Sequence, residues 1–152
     1  MDERRLARYG RIYEQLRELI EGKSPTALAA MSTICAVLHA KMSHHFWTGF
    51  YHVRERELHV GPYQGPVACQ VLTHGVCSDA VRNREPIVVG NVDTYPGHVA
   101  CDARSKSEIA IPILYGDDVV AVFDVDASEL SQFSEADVEP LQRILALLDP
   151  LL

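Results

Sequence analysis

A β-hairpin in the C-terminal half constrains the fold of this chain most strongly. Two runs rich in β-branched and apolar residues, 108–115 and 119–126, flank the turn Gly116-Asp117-Asp118. Runs of this kind on either side of a Gly/Asp turn are typical of paired antiparallel strands. A second hairpin is predicted by the run 46–53 and the run that begins at Leu58, which are separated by charged residues.

Two helices are predicted before the first hairpin. Apolar residues recur at steps of three and four over residues 3–22, which indicates an amphipathic helix. Ser24-Pro25 then predicts the start of a second helix, with Ser24 as its N-cap. The predicted apolar stripe of that helix comprises Leu28, Met31, Cys35, Leu38 and Met42. Cys35 is therefore interpreted as a small core residue.

Between and after the hairpins, weaker signals complete the architecture. The stretch 61–66 contains two Gly-Pro pairs, which predicts that the second run ends there. A short helix at 78–83 and a short strand at 87–89 follow. Ser134 and Asp137 fit a capping box that begins a C-terminal helix. This order predicts a single α+β domain over residues 1–152, with one antiparallel sheet and flanking helices.

Three carboxylates are expected to meet at one end of the C-terminal hairpin. Asp124 and Asp126 interrupt an apolar strand and, two residues apart, face the same side of it. Pairing Tyr115 with Val119 sets Glu108 opposite Asp126, whereas a two-residue turn would shift this register by one. Carboxylates this close raise one another's pKa. A partly protonated acid beside a thiol is suited to catalysis, although a binding site for an ammonium group is also possible.

Three of the four cysteines lie in the irregular middle of the chain, 61–107, which is longer than a simple connection requires. Cys69, Cys77 and Cys101 are flanked by turn-forming or polar residues, a setting that favours redox chemistry or metal binding over core packing. Cys77 also falls near the predicted start of the short helix, where the helix dipole would lower its pKa.

Histidines supply the competing interpretation of the same cysteines. His74-x-x-Cys77 and His98-x-x-Cys101 have the spacing of zinc ligands, so a site with two Cys and two His ligands is one alternative. The other five histidines, His39, His44, His45, His52 and His59, are interpreted as surface or strand positions. The position of the acids next to Cys101 favours redox chemistry, and we expect neither a metal nor another cofactor.

Trp47 and Tyr51 lie on the same face of the first strand, with Gly49 between them. The missing side chain at Gly49 predicts a hollow between two aromatic walls, suited to a small apolar or partly cationic group.

Charge and hydropathy exclude other classes of function. The net charge of −7, with scattered Lys and Arg, argues against nucleic-acid binding and against an anionic membrane surface. No signal peptide and no apolar run long enough to span a bilayer are visible. A cytoplasmic location is expected, where clustered cysteines are more often catalytic or metal-bound than structural.

Several motifs in the same order resemble the free methionine-(R)-sulfoxide reductases. They are Trp47 to Tyr51, Gly61 to Gln70, Gly75-Val76-Cys77, Tyr95 to Asp102, Lys106 to Ile109, and Phe123 to Asp126. The resemblance implies a GAF fold, with a central antiparallel sheet and the N- and C-terminal helices packed on one face. It also implies reduction of free methionine (R)-sulfoxide to methionine, with thioredoxin regenerating the enzyme. A homodimer is plausible for this fold.

The same resemblance implies roles for individual residues. Cys101 attacks the sulfoxide sulfur, Cys69 is the main resolving thiol, and Cys77 is a second or alternative partner. The acids that bind the substrate and assist departure of its oxygen correspond to Glu108, Asp124 and Asp126. The walls of the family's pocket for the methylsulfinyl group correspond to Trp47 and Tyr51 of this chain. The alternative is a GAF domain that senses a small ligand or a redox state without catalysis.

Overall fold

A computed structural model describes residues 1–152 as one six-stranded antiparallel sheet with helices on both faces. The strands run in the order β3-β2-β1-β6-β5-β4. Their bounds are β1 Trp47–Arg54, β2 Glu57–Gln64, β3 Val71–Leu72, β4 Ile87–Val89, β5 Ser107–Tyr115 and β6 Asp118–Ala127. The helices are α1 Glu3–Ile20, α2 Ala27–Lys41, α3 Val76–Asn83 and α4 Val138–Leu145. The predicted α+β class with one antiparallel sheet is confirmed.

The two faces of the sheet carry different structures because strand side chains alternate. On β5, Ile109, Ile111 and Ile113 enter the larger apolar core, which the sheet shares with α1, α2 and α4. The intervening Ala110 faces the other side, where α3 covers a smaller cluster. The prediction that the N- and C-terminal helices share one face is confirmed, and the opposite face is left to α3 and the irregular middle segments. None of the helices combines the length and the apolar character that a membrane crossing requires.

The register of the β5–β6 hairpin places Glu108 opposite Asp126, as predicted. The turn is tighter than the prediction assumed, because Tyr115 pairs with Asp118 and only two residues connect the strands. Leu114 pairs with Val119 but Ile113 pairs with Ala121, so β6 carries one extra residue there as a bulge. Beyond the bulge, the pairing returns to the predicted register. The bulge therefore keeps the carboxylates on the same face of the sheet and next to one another.

The second helix begins later than predicted. Thr26, rather than Ser24, is the N-cap of α2, because its hydroxyl accepts a hydrogen bond from the amide of Ala29 at 3.1 Å. Leu28, in the first turn of α2, is largely exposed, so its predicted place on the buried stripe is wrong. Ile34 is fully buried instead, beside Cys35, whose interpretation as a core residue is confirmed.

The predicted end of the second run at Gly61 is also wrong, because β2 continues to Gln64. Gly49 pairs with Tyr63 and Tyr51 pairs with Val60, so that Gly61 and Pro62 together oppose one residue of β1. This bulge accommodates a proline within a paired strand. It also brings Tyr63 over the face of the sheet that α3 covers.

His45 is buried, which contradicts its interpretation as a surface or strand position. Its Nδ1 lies 3.4 Å from the hydroxyl of Thr48, and that hydroxyl also lies 3.1 Å from Nδ1 of His39. His45 belongs to the turn that joins α2 to β1. The ring of Phe133, almost 90 positions later in the chain, lies 6.0 Å from the His45 ring, and no local pattern indicates that contact.

Substituting Gly49 with alanine is expected to destabilise the protein by about 1–3 kcal/mol, because a Cβ at this position would overlap the Trp47 indole and the Tyr63 side chain. Urea unfolding measures the change in the free energy of unfolding. Gly10→Ala in α1 is the matched control, since nothing lies within 4 Å of its added Cβ and alanine favours a helix. Equal effects of the two substitutions would contradict the prediction.

Candidate active site

Three carboxylates form the floor of a small cavity on the α3 side of the sheet. Glu108 comes from β5, and Asp124 and Asp126 come from β6. Glu108 and Asp124 are each about 95% buried, and Asp126 is half-buried. The structure therefore brings together the three acids that the sequence predicted to meet.

The environment of these acids favours their protonated forms. Burial and the Asp126 charge raise the pKa of Asp124 to about 8. The pKa values of Glu108 and Asp126 are raised well above the usual range, by burial first and by a neighbouring carboxylate second. No Lys or Arg lines the cavity to offset the charges. A carboxylic acid that keeps its proton near neutral pH can donate it to a ligand.

A disulfide joins Cys69 to Cys101, and Cys101 lines the cavity. The two Cα atoms are 5.4 Å apart, although 32 positions separate the residues in sequence. Cys101 is exposed and Cys69 is half-buried. The disulfide joins the irregular segment after β2 to the irregular segment before β5. Two of the three cysteines singled out in the sequence are thus paired, and one of them, Cys101, lines the cavity that holds the acids.

Cys77 lies under the same cavity with a different chemistry. It is the second residue of α3 and is 97% buried as a free thiol. Its Sγ lies 3.8 Å from Oε2 of Glu108. Burial, followed by the charges of Asp124 and Glu108, raises the pKa of the Cys77 thiol well above its usual value. The prediction that the helix dipole lowers this pKa is therefore wrong, because burial among carboxylates outweighs the dipole.

The two His-x-x-Cys pairs do not assemble into the four-ligand zinc site considered as an alternative. Cys101 is held in the disulfide, and His74 is exposed, with its Nδ1 3.1 Å from the Thr73 hydroxyl. His98 lines the cavity, with its Nε2 3.8 Å from Oε1 of Glu108. The donor atoms that lie close enough together to hold a metal ion, within 4.8 Å, belong to Cys77, Glu108 and Asp124.

Stacked aromatic rings form one wall of the site. The indole of Trp47 stacks on Tyr51, with centroids 5.7 Å apart, and on Tyr63, with centroids 5.3 Å apart. The hollow predicted above Gly49 is filled by the Trp47 indole itself, so glycine is required there for ring packing. The hydroxyl of Tyr51 donates to the carbonyl of Cys69 at 3.3 Å, which connects this wall to the disulfide.

Sequence reasoning missed two contacts. Tyr63 joins the aromatic wall only because of the bulge in β2, and a bulge has no clear sequence signal at this position. Tyr95 donates from its hydroxyl to Oδ2 of Asp79 at 2.6 Å. This hydrogen bond fastens the segment that carries Cys101 onto α3, and nothing in the local sequence of either residue indicates it.

Two buried polar atoms of cavity-lining residues have no hydrogen-bond partner in the protein. They are Nε1 of Trp47, a donor, and Oδ1 of Asp124. Buried polar groups without partners are rare in folded proteins and need an explanation. A small polar ligand that reached both atoms would provide one.

Comparison with known families identifies the fold. A sequence model described as a GAF domain matches residues 26–149. The chain belongs to the GAF family. This GAF domain is 37% identical over 144 residues to GAF domain-containing protein A of Dictyostelium discoideum, with 93% of this chain and 90% of the relative aligned.

Two further relatives are reductases by name. This GAF domain is 30% identical to the free methionine-R-sulfoxide reductase of Escherichia coli (strain K12), over 95% of this chain and 88% of the relative. It superposes with a TM-score of 0.89 and 33% identity on the free methionine-R-sulfoxide reductase of Neisseria meningitidis, whose structure is a complex with its substrate. That superposition covers 93% of this chain and 86% of the other. Within the GAF family, this chain groups with the free methionine-R-sulfoxide reductases.

Proposed function

We propose that this GAF domain reduces free methionine (R)-sulfoxide to methionine by thiol chemistry at Cys101. One observation carries the proposal: Cys101, which is paired with Cys69 in a disulfide, lines the same cavity as three acids that favour their protonated forms. Thiol-dependent sulfoxide reduction needs two thiols within bonding reach and a proton donor next to one of them. The likeness to two named reductases supports the same reaction.

In the reduced enzyme, the thiolate of Cys101 attacks the sulfoxide sulfur. The exposure of Cys101 leaves it accessible to a bound substrate. Cys77 is less suited to the attack, since its thiol is buried and its pKa is raised well above the usual value. We therefore assign the nucleophile to Cys101.

The acids supply the proton that the sulfoxide oxygen needs before its bond to sulfur breaks. Asp124, with a pKa of about 8, is protonated in a large fraction of molecules at neutral pH. Burial and the charge of Asp126 hold this proton on Asp124. The attack joins the Cys101 sulfur to the substrate sulfur, and the protonated oxygen then moves to the Cys101 sulfur as the bond between the two sulfurs breaks. Cys101 is left as a sulfenic acid, the substrate sulfur keeps the electron pair of the broken bond as a thioether, and methionine leaves.

Cys69 then resolves the sulfenic acid. Its thiolate attacks the Cys101 sulfur and the hydroxyl leaves as water, which forms the Cys69–Cys101 disulfide. Over the cycle, one sulfoxide and two thiols give one thioether, one disulfide and one water. An external dithiol protein, thioredoxin, then reduces the disulfide, which assigns the cycle to a reducing compartment such as the cytoplasm. Cys77 is a second reductant that could serve when Cys69 is absent.

The aromatic wall fits the apolar end of this substrate. Trp47 and Tyr51 offer flat apolar surfaces for the methyl group, beside the acids that receive the oxygen. The space enclosed in the disulfide form is about 50 Å³, whereas pockets that bind small molecules usually measure about 300–1,000 Å³. We expect reduction of the disulfide to free the two irregular segments from one another and so to enlarge this space for a substrate.

A coupled assay tests the proposal. The purified chain is supplied with thioredoxin, thioredoxin reductase and NADPH, and with either the (R) or the (S) epimer of free methionine sulfoxide. We expect consumption of one NADPH per (R)-sulfoxide and at least about tenfold slower consumption with the (S) epimer, because the wall and the acids fix which face of the sulfur meets Cys101.

The controls separate catalysis from ligand sensing. Cys35→Ala removes a buried thiol on the far side of the sheet and should leave turnover within about twofold of the wild type. Thermal stabilisation by the (R)-sulfoxide without NADPH consumption would replace the reductase with a ligand-sensing GAF domain. Equal consumption of both epimers would contradict the proposed stereochemistry.

A further inference from the structure

The free substrate poses a charge problem for this cavity. A free amino acid carries an α-carboxylate as well as an α-ammonium group, and both must be solvated or paired on binding. The cavity is lined by the three acids of its floor and by Asp102, and by no Lys or Arg. The ammonium group finds carboxylates there, but the carboxylate finds no permanent cation. How this cavity accommodates the carboxylate is inferred on the basis of the proposed function.

Two histidines line the cavity, and they differ in their availability. His74 is exposed, and its Nδ1 lies within hydrogen-bond distance of the Thr73 hydroxyl. The side chain of His98 is only 15% exposed, and its Nε2 lies 3.8 Å from Oε1 of Glu108. That separation is too long for a hydrogen bond, so this nitrogen is free to meet a ligand.

The backbone around His98 is held independently of the disulfide. The His98 amide donates to the carbonyl of Tyr95 at 3.2 Å, and the Tyr95 hydroxyl donates to Asp79 on α3. Val99 packs against Gly75 at the start of the same helix. His98 can therefore stay over Glu108 when the disulfide opens and the Cys101 end of the segment moves.

Arg104 contacts two residues that line the cavity and is a rival for a carboxylate, but it is already occupied. Its guanidinium makes two hydrogen bonds to Asp102, at 3.0 and 2.7 Å. It also lies over the ring of Phe46, 5.0 Å from the centroid. Binding a second carboxylate would require Arg104 to break a paired fork of hydrogen bonds.

We propose that His98 donates its ring N–H to the α-carboxylate of the substrate, while Glu108 accepts the α-ammonium group. The 3.8 Å between His98 and Glu108 suits the adjacent carboxylate and ammonium of one α-amino acid. A methionine sulfoxide inside a peptide has neither group, since both are amides. His98 is therefore a specificity-determining residue that selects the free amino acid.

The test compares free methionine (R)-sulfoxide with its α-carboxamide in the coupled assay, using the wild type and His98→Ala. Hydrogen bonds to charged groups contribute about 1.5–3 kcal/mol, which corresponds to roughly 10- to 150-fold in affinity. His98→Ala should raise KM for the free acid by about 10- to 100-fold and leave kcat within about threefold, and it should affect the amide by a clearly smaller factor, because a hydrogen bond to a neutral carbonyl is weaker. His98→Gln, which keeps an N–H donor, should recover part of the loss.

His74→Ala and Arg104→Gln are the matched controls, and both should leave the preference for the acid over the amide intact. Equal losses on acid and amide in His98→Ala would overturn the assignment, as would an acid-specific loss in Arg104→Gln. If the wild type reduces the free sulfoxide and His98→Ala behaves like it, the proposed function stands and only the role of His98 fails. A wild type inactive on the free sulfoxide would overturn both.

Discussion

Replacing Cys101 with serine should abolish turnover of the (R)-sulfoxide and lower kcat/KM by at least about 10⁴-fold, the scale seen when a nucleophile is removed. A serine hydroxyl is far less ionised than a thiol and cannot form the sulfenic acid on which the later steps depend. Binding should survive, since neither the aromatic wall nor the acid floor contains this side chain.

Cys69→Ser and Cys77→Ser separate the resolving step from the attack. Without an added thiol, reduced Cys69→Ser should release about one methionine per molecule and then stop at the sulfenic acid, unless Cys77 moves out of the core to replace it. Cys77→Ser should retain the Cys69–Cys101 disulfide and most of the steady-state turnover, because its thiol lies apart from that pair. Quantifying methionine, free thiols and protein mass after a single turnover distinguishes these states.

An outcome opposite to this ranking would reassign the nucleophile. If Cys77→Ser lost all activity while Cys101→Ser kept a single turnover, the buried thiol would be the attacking group. Its raised pKa would then have to fall when the disulfide opens. Cys35→Ala controls for general effects of removing a thiol.

The alternation of side chains along the strands made the acid cluster predictable from sequence. Asp124 and Asp126 had to share one face of β6, and any β5–β6 hairpin would bring Glu108 near them. The predicted pairing of Glu108 with Asp126 was correct, but for a reason that could not be read from the sequence. The turn is one residue tighter than assumed, and a bulge compensates for it, so the two deviations cancel at Glu108.

Cys77 shows where local reasoning fails. Its position at the start of α3 predicts a lowered pKa from the helix dipole, an effect of about 0.3–1 kcal/mol at an exposed site. Packing α3 on the sheet buries the thiol beside Glu108 and Asp124, and desolvation and like charges outweigh the dipole. The neighbours come from strands more than 30 positions away, so no window around Cys77 contains the deciding information.

The tether between Tyr95 and Asp79 was unpredictable for a related reason. A tyrosine in a Pro-Gly turn and an aspartate in a short helix are both ordinary surface residues in sequence. They meet because the segment before β5 folds back over α3. The resemblance to a reductase family indicated the chemistry of this segment, but its geometry depends on contacts between distant parts of the chain.

Replacing Asp124 with asparagine should stabilise the folded protein at alkaline pH and disable it as a catalyst. The pKa of Asp124 is raised from 3.8 to about 8 on folding, so the folded state binds this proton more tightly than the unfolded state does. The contribution of Asp124 to the stability of the folded protein is therefore largest below pH 4, and it falls as the pH rises from 4 to 8. Asparagine keeps the shape of the side chain but cannot ionise, so this loss disappears.

The expected gain in the free energy of unfolding is about 2 kcal/mol or more at pH 8 relative to pH 5, since each unit of pKa displacement corresponds to about 1.4 kcal/mol. Urea unfolding at the two pH values measures it. Asp118→Asn is the matched control, because Asp118 lies exposed at the other end of the same strand and should show no such difference.

Activity should move in the opposite direction. Without the Asp124 proton, kcat/KM for the (R)-sulfoxide should fall by about 10²–10⁴-fold, the usual contribution of a positioned acid. In the wild type, the rate should decline as the pH rises through about 8, where the buried acids titrate together, and Asp124→Asn should lose that decline. A variant with wild-type activity and an unchanged alkaline limb would exclude Asp124 as the proton donor, even if the stability gain appeared. Stability gained without activity lost would mean that the charge repulsion at this site serves substrate binding rather than proton transfer.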